Sequence, residues 1–259
     1  MPAPANRLKQ ALAKGEMQIG LWLGMGSTVA AEIAAGAGYD WCLIDGEHGP
    51  NTVTTIRDQL QAMAGRGVAA VVRVPVGEDW VLKQVLDVGA QSVLVPMVDD
   101  AAQAEAAARA VRYPPEGVRG MGAALARASD YNAIPDYVTT ANGEICLMVQ
   151  IESAKAVENV DAIAAVEGID CLFVGPADLS ADMGHPGNPG HPDVVAAIEH
   201  AIARTLAAGK AAGIITFDPA QFAYYAGLGV TFLGVGGDVT VLAKAVRSLA
   251  GEAREAVKG

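Results

Sequence analysis

Large aromatic side chains are scarce: Phe, Trp and Tyr make up 5% of the 259 residues, and only 4 of them are Phe. A core built from this chain must rely on Ala, Val, Ile and Leu, packed in layers of small branched side chains. Cysteine is as rare. Cys42, Cys146 and Cys171 form no C-x-x-C pair and each lies inside an apolar run, which excludes a disulfide framework or cysteine-rich zinc site and reads as three buried free thiols. Positive charge is in deficit, 18 Lys+Arg against 29 Asp+Glu for a net charge of −11. Such a surface repels polyanions, so no nucleic acid and no anionic membrane surface is expected as a partner. No run approaches the ~20 apolar residues of a membrane span. Met1 to Ala13 carries positive charge but no following apolar stretch, so the expectation is a cytoplasmic protein without a signal peptide.

Several catalytic signatures are missing as well. There is no G-x-S-x-G nucleophile elbow, and no phosphate-binding or dinucleotide glycine fingerprint follows the first strand. A Schiff-base enzyme needs a lysine aimed into its site. Lys9, Lys14, Lys83, Lys155, Lys210, Lys244 and Lys258 all fall in expected helices or at their ends.

What the chain has is apolar bulk, 52% hydrophobic against 18% charged, with 30 glycines for short connections. After an expected helix at Pro4 to Lys14, eight apolar runs recur: Ile19 to Leu23, Trp41 to Ile44, Ala69 to Val74, Ser92 to Val95, Ile145 to Ile151, Cys171 to Val174, Gly213 to Thr216 and Thr231 to Val235. Most are apolar throughout, as parallel strands covered on both faces should be. Between them lie Ala-rich segments of helical period, such as Val53 to Ala64, Asp99 to Val111, Ala154 to Val166 and Asp193 to Ala208. A doubly wound open sheet gives a similar local pattern, but size and count favour α/β architecture as one (β/α)8 TIM barrel domain over residues 1–259, with an extra N-terminal helix. Two stretches break the rhythm, Tyr113 to Asn142 and Ala181 to Pro192, and excursions of that length are usually functional loops or interface elements.

Barrel chemistry sits where strands end, so the polar residues after each run carry the functional reading. The second run leads into Asp45-Gly46-Glu47-His48, the third contains Arg73, the fifth ends in Gln150-Ile151-Glu152, and the sixth continues as Gly175-Pro176-Ala177-Asp178. Glu152 and Asp178 fall on adjacent strands, ~5 Å apart at the usual spacing. Carboxylates that close repel unless a cation lies between them, and a hard divalent ion such as Mg2+ resolves the conflict. Either one alone is better explained as a helix cap; the pair favours a metal. The Gly175-Pro176-Ala177 turn offers backbone N–H groups to a substrate carboxylate, and Gln150 shares the inward direction of Glu152. Gln150 is equally a satisfied filler of the barrel. Arg73 among valines is either one half of a structural ion pair or the cation for a substrate oxyanion. His48, beside the paired carboxylates, is the candidate general base.

Together the segments Leu43-Ile-Asp-Gly-Glu-His48, Val72-Arg73, Lys83-Gln-Val-Leu-Asp87-Val-Gly-Ala90, Tyr113-Pro-Pro-Glu-Gly-Val-Arg-Gly120, Gln150-Ile-Glu152 and Phe173-Val-Gly-Pro-Ala-Asp-Leu-Ser180 resemble the metal-dependent class II 2-oxo-acid aldolases of the HpcH/HpaI family, in order along nearly the whole chain. This family includes 4-hydroxy-2-oxoheptanedioate aldolase and the 2-keto-3-deoxy-sugar-acid aldolases. The resemblance implies that Glu152 and Asp178 hold Mg2+, Mn2+ or Co2+, and that Gln150 and the backbone at Ala177 hold pyruvate or hydroxypyruvate. It further implies that Arg73 stabilises the enolate, His48 is the base and Asp87 tunes it. Asp87 lies late in the helix after the third strand, at the opposite face of the barrel, so it must act on His48 from another subunit, or Asp45 must share the role within the chain. A homohexamer with the C-terminal helix exchanged between subunits is implied, with a 2-oxo acid and an aldehyde as small-molecule partners. Trp22, Met121, Phe217 and Val235 are candidate walls for the aldehyde and equally candidate core. Two alternatives compete: an acyl-CoA lyase of the malyl- or citramalyl-CoA type, and a non-catalytic oxo-acid- or metal-binding oligomer.

Overall fold

The computed structural model describes residues 1–258. Eight parallel strands close in sequence order: β1 (Gln18–Leu23), β2 (Trp41–Asp45), β3 (Ala69–Arg73), β4 (Ser92–Val95), β5 (Cys146–Ile151), β6 (Cys171–Val174), β7 (Ala211–Ile215) and β8 (Phe232–Gly237). Pairing of the first strand with the last, Gln18 opposite Phe232 and Gly20 opposite Gly234, makes this a barrel and not an open sheet. The helices are α1 (Arg7–Ala13), α2 (Thr28–Ala35), α3 (Val53–Met63), α4 (Asp79–Asp87), α5 (Ala101–Ala110), α6 (Tyr137–Glu144), α7 (Ala154–Glu158), α8 (Val160–Ala164), α9 (Pro176–Asp182), α10 (Pro192–Ala207), α11 (Phe222–Gly227) and α12 (Asp238–Ala256).

The expected layers of small branched residues exist between the strands and the outer helices, where Ala, Val, Ile and Leu dominate. The barrel interior differs. Trp22, Trp41, Phe173 and Phe232 converge there, with Trp41 stacked on Phe232 at 4.0 Å and Trp22 tilted by 40° against Phe173 at 5.4 Å between centroids. These four of the chain's 13 aromatic residues form a plug. Gly20 admits it, since a Cβ at that position would lie 1.9 Å from the Trp41 ring. Period-two alternation that points Trp41, Leu43, Val71, Met148 and Phe173 inward also points Asp45, Arg73 and Gln150 inward, one level nearer the C-terminal rim.

Local signals account for the differences from the expected elements. The first helix starts at Arg7, not Pro4, because the Asn6 side chain accepts from the Lys9 N–H at 3.1 Å and caps it there. The segment Ala154 to Val166 breaks into α7 and α8 at Asn159. β7 begins two residues early, at Ala211, and β8 extends to Gly237. The excursion after α5 contains α6 and packs on its own cluster of Ala3, Tyr113, Ala123, Tyr137 and Ala141. All three cysteines are buried and free, and burial pushes the Cys42 thiol up to about 12. Among the described residues no helix is long and apolar enough to cross a membrane.

Candidate active site

A cavity of about 350 Å3 opens at the C-terminal rim of the barrel, and Asp45, His48, Arg73, Gln150, Glu152 and Asp178 all line it. A larger opening of about 520 Å3 lies at the opposite face. Asp40 there is already committed to the Ile19 N–H at 2.8 Å, and no paired carboxylates converge on it. Chemistry therefore belongs to the smaller space.

Its centre is Arg73, which is 7% exposed. The β2–β3 register places it beside Asp45, and the two form a bidentate pair, Nε to Oδ1 at 2.9 Å and Nη2 to Oδ2 at 2.5 Å. Nη1 lies 2.9 Å from Glu47 Oε2 and 3.5 Å from Gln150 Oε1. The Glu47 contact lacks hydrogen-bond alignment, so it is a close charge approach. One guanidinium thus faces two carboxylates while lining the cavity, with the Trp22 ring 5.8 Å away.

Glu152 follows β5 and is buried. Its Oε1 accepts the Met97 N–H at 2.7 Å and its Oε2 accepts from Gln150 Nε2 at 2.6 Å. Met97 sits at φ 53°, the left-handed conformation that presents this N–H. Burial pushes the Glu152 carboxyl up to about 7; Glu47 and Asp178 add to the rise, while the Met97 hydrogen bond and Arg73 oppose it. Gly175 makes room, because a Cβ there would lie 2.5 Å from Glu152 Oε2. Asp178 is exposed in the first turn of α9, on the cavity wall.

The turn Gly175-Pro176-Ala177 lines the cavity as expected, with less to donate than expected. The Gly175 N–H is committed to the Ile151 carbonyl at 3.1 Å and Pro176 has none, which leaves the Ala177 N–H of the three. His48 has an exposed ring, its Nε2 3.8 Å from Glu47 Oε2, and its backbone N–H donates to Asp45 Oδ1 at 3.2 Å. Among the described residues nothing joins the Asp45 carboxylate to the His48 ring; Asp45 serves Arg73. Asp87 stands at the end of α4 and pairs with Arg119 at 2.7 Å, away from the His48 of its own chain. Trp22 and Phe217 wall the cavity, whereas Met121 and Val235 do not.

Glu47 is the residue that sequence reasoning passed over. It lies between Arg73 and His48, and burial raises its carboxyl above the usual range against the lowering pull of Arg73 and His48. The signal was present, a third acid in Asp45-Gly46-Glu47-His48, but alternation alone does not say which acid of a turn folds inward.

The carboxylates fit a divalent cation: Glu152, buried and raised in proton affinity, and Asp178, exposed on the cavity wall, offer oxygen donors, and cation charge would relieve the repulsion that Glu47 and Asp178 exert on Glu152.

Comparison with known proteins places the chain among relatives with this arrangement of elements. The family described as HpcH/HpaI aldolase/citrate lyase matches residues 18–245. A hydroxypyruvate/pyruvate aldolase of Pseudomonas aeruginosa is 55% identical over 251 residues, 97% of this chain and 94% of that one. A 4-hydroxy-2-oxo-heptane-1,7-dioate aldolase of Shigella sonnei is 54% identical over 245 residues, 95% of this chain and 94% of the other. Among solved structures, an HpcH/HpaI aldolase/citrate lyase family protein from Burkholderia cenocepacia J2315 superposes with a TM-score of 0.93 at 42% identity, covering 96% of this chain and all of that one.

Proposed function

The chain belongs to the HpcH/HpaI aldolase/citrate lyase family, and from that premise we propose that it is a divalent-metal-dependent carbon–carbon lyase of 4-hydroxy-2-oxo acids. In the forward direction it adds the enolate of pyruvate or hydroxypyruvate to an aldehyde; in reverse it cleaves the aldol. The observation that carries this reading is one buried network, Asp45, Glu47, Arg73, Gln150 and Glu152, that closes on a single small cavity beside His48 and Asp178.

Glu152 and Asp178 would hold Mg2+, Mn2+ or Co2+, which when bound supplies Lewis acidity toward the donor's oxygens. Arg73, held rigid by Asp45 on the cavity wall, presents its positive charge to the oxygen on which negative charge develops, and because it is already oriented it needs no reorganisation in the transition state. Gln150 and the Ala177 N–H flank the space for the 2-oxo acid carboxylate. His48, at the open side, takes the proton from the carbon next to the carbonyl and returns it to the product. Trp22 and Phe217 form apolar walls where the aldehyde approaches.

An acyl-CoA lyase is not favoured, because the relatives are named aldolases. A hexamer with an exchanged α12 and a cytoplasmic location remain part of the proposal; α12 has no buried residue in its own chain, which supports the exchange.

Deuterium exchange at the pyruvate methyl group tests this chemistry without an acceptor aldehyde. Exchange should stop after exhaustive chelation, return with Mn2+, Co2+ or Mg2+, and fall by about 10²–10⁴-fold in His48→Ala, the usual contribution of a positioned base. Undiminished exchange in the chelated enzyme would remove the metal, and wild-type exchange in His48→Ala would remove the base. A His48→Ala chain that still binds metal but keeps only that residual exchange is the expected result.

A further inference from the structure

The stretch from Ala181 to Pro192, which interrupts the strand–helix rhythm, carries two of the chain's four histidines, and the chemistry above leaves both unused. His185 and His191 stand at the two ends of a tight loop between α9 and α10. The His185 N–H donates to the Ser180 carbonyl at 2.7 Å, the Asn188 N–H to the His185 carbonyl and the His191 N–H to the Asn188 carbonyl. This path folds the imidazoles against each other, 3.5 Å between centroids and 12° between planes. Asp193, in the first turn of α10, closes the group: its Oδ2 lies 3.9 Å from His185 Nε2 and 3.7 Å from His191 Nδ1.

Neither distance is a hydrogen bond. One ligand atom from each of the three residues nevertheless lies within 4.8 Å of the other two. Such a spacing approaches that of ligands around a common ion, because bonds of ~2.0–2.1 Å to a tetrahedral centre put neighbouring ligand atoms ~3.3 Å apart. Local structure does not account for the imidazoles. His191 is the N-cap of α10, where its Nδ1 accepts the Asp193 N–H at 3.3 Å, a long bond that Ser, Asp or Asn would make better. An accepting Nδ1 carries no proton, which is the state a metal requires. The His185 ring makes no hydrogen bond among the described residues and contributes only the stack and the long approach to Asp193.

Parallel rings direct their lone pairs side by side, so binding an ion requires each imidazole to turn about χ2 until the two nitrogens face one point. The surroundings permit this. The two rings are 28% and 30% exposed and Asp193 is 73% exposed, and a Cβ at Gly184 or Gly187 would meet nothing within 4 Å.

We propose that His185, His191 and Asp193 form a second metal site, selective for a borderline divalent ion such as Zn2+ or Ni2+. Two imidazoles and one carboxylate suit these ions, whereas the oxygen donors of Glu152 and Asp178 suit Mg2+ or Mn2+. Three protein ligands leave a fourth position open. The ion ties the end of α9, the helix that carries Asp178, to the start of α10, and its role is that of a structural clip.

Zn2+ binding to untagged protein separates the two sites. Equilibrium dialysis compares the wild-type chain with the double variants Glu152→Gln, Asp178→Asn and His185→Gln, His191→Gln. The wild type should take up two ions per chain, each double variant one, and the chain with all four changes none. In Glu152→Gln, Asp178→Asn, Zn2+ should shift the imidazole resonances of His185 and His191 while those of His200 stay in place. Zn2+ should also raise the Tm of that variant, since an ion bound to the folded chain alone stabilises it, and the rise should vanish when the two histidines are replaced as well. With Mg2+ as the only metal, His185→Gln, His191→Gln should turn over at the wild-type rate, which also shows that it is folded.

Uptake by His185→Gln, His191→Gln equal to that of the wild type would overturn the site. So would His185 and His191 resonances that ignore saturating Zn2+ in Glu152→Gln, Asp178→Asn. Uptake by Glu152→Gln, Asp178→Asn equal to that of the wild type, with the histidine resonances still shifting, would instead remove the catalytic ion and uphold the loop site.

Discussion

At the scale of single residues, Glu152 joins stability to function. Its carboxyl is raised to about 7 mainly by burial, so in the metal-free protein folding favours its protonated form. The sign follows directly: the contribution is fully present below the unfolded value near 4.5 and is lost as pH rises through the folded value near 7. Metal-free protein should therefore lose up to about 3 kcal/mol between those limits relative to Glu152→Gln, which cannot ionise. Urea unfolding at a series of pH values checks this, and parallel curves for the two proteins would contradict it. Adding metal should reverse the trend, since the ion and the proton compete for the same oxygens. This behaviour was only half legible in the sequence. The spacing of Glu152 and Asp178 announced the pair. That Glu152 is buried and held by Met97 and Gln150, while Asp178 is exposed, depends on a left-handed residue and a missing Cβ at Gly175, which residue identity alone does not reveal.

At the scale of elements, the junction between β5 and α7 turns a strand end into a site. Ser153 accepts the Ala156 N–H at 3.0 Å as the N-cap of α7 and donates to Asp99 Oδ1 at 2.5 Å, tying the turn after Glu152 to the residues that precede α5. Ser153→Ala should cost about 1 kcal/mol as a lost cap, lower Tm by roughly 2–4 °C for a domain of this size, and weaken metal binding by freeing the backbone next to Glu152. Calorimetry and metal titration of the variant check both effects; an unchanged metal affinity would mean that Met97 and Gln150 alone fix the carboxylate. The strands were readable because apolar runs covered on both faces have a simple signature. Helices α6 and α9 were not. Each is short and buries only two residues, so neither displays an amphipathic stripe long enough to be seen. The broken helix at Asn159 was hidden because Ala-rich composition supports one helix or two equally well.

At the scale of the whole molecule, the barrel is complete but its surface is not. α12 carries Val239, Leu242, Val246 and Leu249 on one stripe at three- and four-residue steps, each between 47% and 66% exposed, and Val29 and Ile33 of α2 are also exposed, at 63% and 70%. A 19-residue helix with no buried residue is marginal in water and gains its stability from burying such a stripe. In a chain with a net charge of −11, apolar surface on this scale supports the proposed docking of another copy. The double variant Leu242→Asp, Val246→Asp should therefore dissociate the assembly into smaller species by light scattering. Its barrel should keep its circular dichroism, because neither side chain is buried within its own chain. Turnover should fall with the assembly if Asp87 serves a neighbouring site, whereas a dissociated chain that retains full turnover would show that every catalytic group is supplied from within one barrel. Assembly and chemistry are thus measured in the same sample, and the slope of activity against the fraction assembled distinguishes a scaffold role for α12 from a requirement for the shared site.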